Sequence, residues 1–104
     1  MKSILREKFR YIKFKIISEN EYTKQEFERC LRQALLGVLG EIGYSRCFPK
    51  LILYSSKEAI IKILRDQEKE TRAAFALITR FDSAPIHLQV VFVSGTVLGC
   101  KGKK

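Results

Sequence analysis

The sequence predicts an α+β sandwich: one four-stranded antiparallel sheet with two helices on one face. Three observations lead there. Four segments have the length and apolar patterning of strands. Two longer segments repeat their apolar residues at helical spacing. The two kinds follow one another as β-α-β-β-α-β. That order is the split βαβ of the ferredoxin-like (RRM-like) sandwich. The 104 residues form one domain, 1–104, with a basic lead-in at 1–9 and a basic tail at 97–104. A chain of this size hides roughly 60–65% of its unfolded surface, enough for one modest core.

The first strand runs from Arg10 to Ser18. Ile12, Phe14 and Ile16 alternate with Tyr11, Lys13, Lys15 and Ile17, so one face is apolar and the other mixed and basic. Glu19, Asn20 and Glu21 end it. Residues 23–43, TKQEFERCLRQALLGVLGEIG, form the first helix. Thr23 with Glu26 three positions on is a capping box. Phe27, Leu31, Ala34, Leu35, Val38 and Ile42 make its apolar stripe, and Glu28, Arg29, Arg32 and Gln33 its polar face. Gly40 and Gly43 are candidate stops, and Gly37 within the stripe implies close packing against the sheet.

Pro49 precedes a second strand, KLILYS, and residues 59–64, AIIKIL, form a third, at hairpin spacing. EKETRAAFALITRF, residues 68–81, reads as the second helix, with Ala74, Leu77, Ile78 and Phe81 inward. Glu68 and Glu70 in its first turn and Arg80 in its last match the helix dipole. Asp82 to Pro85 is a turn. The fourth strand is 86–94, with Ile86, Leu88, Val90 and Phe92 on one face and His87, Gln89, Val91 and Val93 on the other. In this topology the fourth strand lies antiparallel beside the first, so its end near Ser94 meets the start near Arg10.

Composition narrows the function. Hydrophobic residues at 46% and charged residues at 30% describe a globular chain. No apolar run approaches membrane-spanning length. The N-terminus carries no signal core, so secretion is not expected. Three cysteines, Cys30, Cys47 and Cys100, form no CxxC pair, which argues against a disulfide framework or a zinc knuckle. Cys30 falls on the apolar helix face, and a reducing cytoplasm is the expected compartment.

The net charge of +9 is polarised. Residues 1–15 hold six basic side chains against the single acid Glu7, and residues 101–104 hold three lysines against none. Eight of the nine net charges therefore sit at the two ends. Such an arrangement points to a polyanion rather than to general solubility. Arg6, Lys8 and Arg10, with Lys13 and Lys15, would converge with Lys101, Lys103 and Lys104 at one corner of the sheet. Lysine and arginine on phosphates provide affinity and orientation rather than sequence choice.

Catalytic options are thin. The lone histidine, His87, sits on an alternating strand without a nucleophile in view. GVLGEIG follows a helix rather than a strand, unlike a dinucleotide loop, and the tail SGTVLGCKGKK lacks P-loop spacing. The sheet face away from the helices could bind single-stranded RNA, but YIKFKI and KEAIIKIL lack the aromatic spacing of the RRM motifs. Its candidates for a protein partner are Tyr11, Ile17, Ile52, Tyr54, Val91 and Val93.

LREKFRYIKFKIISE, a helix ending LGEIG, and the late VVFVSGT together resemble the archaeal and eukaryotic ribonuclease P/MRP small protein subunit family, known in archaea as ribonuclease P protein component 2. The likeness runs from Leu5 to Thr96. It rests on Arg6, Arg10, Tyr11, Phe14, Ser18 and Glu19, then Gly40, Glu41 and Gly43, then Val93, Ser94, Gly95 and Thr96. The resemblance implies a subunit of an endoribonuclease holoenzyme that removes the 5′ leader from precursor tRNA. It implies that RNA is the catalyst and uses magnesium, and that the protein binds no cofactor and carries no catalytic residue. It also implies a TIM-barrel-like ribonuclease P subunit, component 3, as partner, with a heterotetramer as one assembly. The alternative is a protein-interaction module of another ribonucleoprotein, working through the apolar sheet face.

Overall fold

In the computed structural model of the protein, residues 9–81 and 83–96 are described. The elements are β1 (Phe9–Ile17), α1 (Lys24–Cys47), β2 (Lys50–Tyr54), β3 (Glu58–Leu64), a 3-10 turn (Arg65–Gln67), α2 (Glu68–Leu77), β4 (Arg80–Phe81), β5 (Ala84–Pro85) and β6 (His87–Ser94). The main sheet has the order β2-β3-β1-β6, antiparallel throughout. This is the expected sandwich, with β4 and β5 added as a separate two-stranded ribbon.

Ile12 and Phe14, wholly buried, anchor the core from β1, and Ile61 and Ile63 join them from β3. Aromatic rings fill the space beneath the helices. Phe14 meets Phe75 edge-on at 4.8 Å between centroids, and Phe27 stacks on Tyr54 at 4.9 Å. Phe81 closes the far side, 5.5 Å from Phe27.

The capping box of α1 forms as the sequence predicts. Thr23 Oγ1 accepts from the Glu26 N–H, and Glu26 Oε1 accepts from the Thr23 N–H, both at 3.1 Å. The helix end differs. Gly40 adopts φ 77°, ψ 171° and kinks the helix instead of stopping it. The stop is Phe48 in the left-handed region, its N–H bonded to the Tyr44 carbonyl at 3.0 Å. A stripe counted across Gly40 loses its phase there, so Ile42 is 71% exposed; Val38, before the kink, is exposed as well. Gly37 is also corrected, since an added Cβ would meet open space and no packing demands a glycine there.

α2 ends four residues before Phe81. Ile78 turns extended, and its N–H is still satisfied by the Ala74 and Phe75 carbonyls. Leu77 is left exposed while Ile78 and Phe81 stay buried, and Arg80 lies in β4 rather than in a last helical turn. The Ile86 N–H donates to the Thr79 carbonyl at 3.0 Å and closes the ribbon against the strand that follows.

Two bulges reassign faces. In β6 the ladder to β1 passes from Lys13↔Phe92 to Phe14↔Val90, leaving Val91 without an opposite residue. A single extra residue reverses the facing of all that follow. Val93 therefore opposes Ile12 and packs against the core, while Phe92 shares the open face with Lys13. In β2, Ile52 is the unopposed residue between Leu51↔Ile61 and Leu53↔Ile60.

Candidate nucleic-acid interface

The start of β1 and the end of β6 meet, as the topology requires. Tyr11 opposes Ser94, and a Cβ on Gly95 would stand 3.5 Å from Arg10 Nη1. Arg6, Lys8, Lys101, Lys103, Lys104 and Cys100 lie outside the described residues. Arg10 is the expected cation that the described residues place at this corner.

Arg10 belongs to the helix-side face with Ile12 and Phe14. Its Nε stands 3.9 Å from Glu68 Oε1, and the same carboxylate takes Arg72 at 3.2 Å. All three groups are partly exposed, so the pairing is worth at most about 1 kcal/mol.

The open face carries the other expected cations. Lys15 is exposed. Lys13 is corrected: it is 6% exposed, with Nζ 3.6 Å from Glu58 Oε1, so its charge already has a partner. It faces Ile60, itself 3% exposed, at the centre of the sheet. Phe9 extends the alternation of Tyr11 and Lys13 by one step back. Lys62 Nζ sits over its ring at 4.3 Å, a cation–π contact. The i−2 position of Phe9 in the alternation would have shown it from sequence.

The proposed partner-facing set divides. Tyr11 and Ile17 lie on the open face, Ile17 being 53% exposed opposite His87. Ile52 and Val91 occupy the bulges, Val91 at 39% exposure. Tyr54 and Val93 do not belong to it. Tyr54 opposes Ala59 on the helix side, stacks on Phe27 and donates to the Tyr22 carbonyl at 2.6 Å. Burial pushes its phenol above the usual range, which keeps that donor protonated. Bulges change facing without changing residue type, so alternation could not reveal this.

Cys47 is buried, with Sγ 3.2 Å from Thr71 Oγ1, and desolvation raises its thiol above the ordinary value. The Thr71 hydroxyl donates to the Gln67 carbonyl at 2.8 Å, so the pair ties α1 to the start of α2. Among the described residues no group of three or more His, Cys, Asp or Glu side chains could hold a metal ion, and no helix is long and apolar enough to cross a membrane.

The strand order β2-β3-β1-β6 with both helices on one face defines the class as a ferredoxin-like α+β sandwich. Comparison with known proteins gives the family. Residues 10–103 match the Rpp14/Pop5 family. The chain is 38% identical over 101 residues to ribonuclease P protein component 2 of Pyrococcus abyssi, covering 95% of this chain and 86% of that protein. It is 36% identical over 93 residues to the Methanococcus aeolicus protein of the same name, covering 89% and 69%. A chain in a cryo-EM structure of yeast ribonuclease MRP shares the fold, with TM-score 0.73 at 15% identity over 86% of this chain and 76% of that one. This chain belongs to the Rpp14/Pop5 family.

Proposed function

We propose that this protein is the component 2 subunit of a ribonuclease P holoenzyme, supporting the RNA that removes the 5′ leader from precursor tRNA. The observation that carries the reading is membership of the Rpp14/Pop5 family across residues 10–103, among relatives named ribonuclease P protein component 2. The charge distribution supports it: eight of nine net charges lie within residues 1–15 and 101–104, and the start of β1 lies beside the end of β6. In this reading Arg6, Lys8, Arg10 and Lys15, with Lys101, Lys103 and Lys104, neutralise phosphates, and magnesium belongs to the RNA. The protein supplies no nucleophile and works in the cytoplasm.

The protein partner is the TIM-barrel-like component 3, two such pairs forming a heterotetramer. Exposed Ile17 and Val91, at the β6 side of the open face, are the apolar contacts that favour this pairing. The reading is tested by reconstitution. Adding the protein to ribonuclease P RNA with component 3 should lower the magnesium needed for leader cleavage. Cleavage that is indifferent to the protein would refute the assignment.

A further inference from the structure

A second cationic site lies away from the termini. α1 and the edge strand β2 border an open cleft of about 410 Å³. Leu35 and Leu51 form part of its floor, and Arg29, Arg32 and Lys50 line it together with Tyr44 and one carboxylate, Glu28. Arg29 and Arg32 are three residues apart on α1, hence neighbours on one helix face, and both are exposed. Among the described residues neither arginine nor Lys50 stands within ion-pairing distance of a carboxylate. Burial raises the Tyr44 phenol above its usual range, Arg32 opposing and Glu28 adding to the shift, so Tyr44 offers a proton to a ligand.

The cleft connects with the sheet end described above. Lys50 opposes Lys62 directly across the β2–β3 ladder, and Lys62 opposes Tyr11 across the next. Like charges set opposite one another destabilise a strand pair, and an anion bridging them removes that cost. Strands lie about 4.8 Å apart, so cationic positions succeed one another in short steps from the start of β1 around the β2 edge to α1. The exposed apolar residues Ile17 and Val91 lie toward the other edge. Although β2 also exposes Leu53, the cleft sets Arg29, Arg32 and Lys50 against one carboxylate, Glu28, which favours a polyanion over a docked protein segment.

We propose that one RNA strand passes from the start of β1 across Lys62 and Lys50 into the α1–β2 cleft. There Arg29, Arg32 and Lys50 hold its phosphates and Tyr44 donates a hydrogen bond. The inference rests on the reading of this chain as an RNA-binding subunit. Arginine forks suit paired phosphate oxygens, so these contacts also orient the strand.

The experiment titrates salt against binding of ribonuclease P RNA. It compares the unaltered protein with Arg29→Ala/Arg32→Ala, with Arg6→Ala/Lys8→Ala, and with the remote charge-matched control Lys57→Ala/Arg80→Ala. Thermal melting checks that each is folded. Loss of two phosphate contacts should reduce the log–log salt slope by roughly 1.4 to 1.8 and weaken binding about tenfold or more at 0.1 M salt. The control should change the slope by less than about 0.5. Equal losses in the cleft variant and the control would overturn the proposal, because net charge alone would then explain both. An unchanged cleft variant beside a weakened Arg6→Ala/Lys8→Ala variant would overturn it while leaving the subunit reading intact. Failure of the unaltered protein to bind would sink the subunit reading and the cleft with it. Retained RNA affinity with lost component 3 pairing would assign the cleft to protein and also overturn the proposal.

Discussion

Thr23 shows how much one side chain can set. Its hydroxyl and the Glu26 carboxylate satisfy two helix-end N–H groups of an exposed turn, where no packing could do so. Thr23→Ala should cost about 1 kcal/mol and lower the melting temperature by roughly 4–8 °C, read by circular dichroism. An unchanged melting curve would mean that the first turn of α1 is held by Tyr22 and Phe27, 6.4 Å apart, rather than by its cap. Cys47 illustrates the opposite case. Nothing in its sequence neighbourhood distinguishes it from a surface thiol, and only the fold brings Thr71 against it.

At the scale of elements, the two bulges matter most. Simple alternation places Val91 and Val93 on one face of β6. The ladder separates them, leaving Val91 without an opposite residue and packing Val93 on the core opposite Ile12. A carboxylate at each position distinguishes the two registers. Val93→Asp should destabilise by about 2–3 kcal/mol, since it places a charge against apolar neighbours. Val91→Asp should stay within about 1 kcal/mol, both measured by urea denaturation. Equal losses would mean that the strand runs through without a bulge. α1 carries a comparable lesson. Its apolar repeat is continuous in sequence, yet the positive φ of Gly40 breaks the helical phase and leaves Ile42 in solvent.

For the molecule as a whole, charge is the organising quantity. Four to six phosphate contacts predict a log–log salt slope of roughly −3 to −4 for binding to ribonuclease P RNA on the single-strand coefficient. A filter-binding titration checks this, and a slope near zero would exclude phosphate neutralisation as the source of affinity. The same scale explains why the cleft cannot be read from the sequence. Lys50 and Lys62 lie twelve positions apart in sequence and become opposite only when β2 pairs with β3. Arg29 and Arg32 read as ordinary solvated helix charges until β2 closes a cleft beside them.

The sequence by itself determined the element order, the core of Ile12, Phe14, Phe27 and Leu31, the α1 cap, and the concentration of charge at the termini. Each follows from periodicity or composition, which are properties of a local stretch. Tertiary structure alone decided which face Tyr54 and Val93 occupy, that Lys13 is buried against Glu58, and that Arg29, Arg32 and Lys50 border one cleft. Those outcomes depend on strand register, and register is set by cross-strand pairing and bulges between distant segments, for which no local pattern exists.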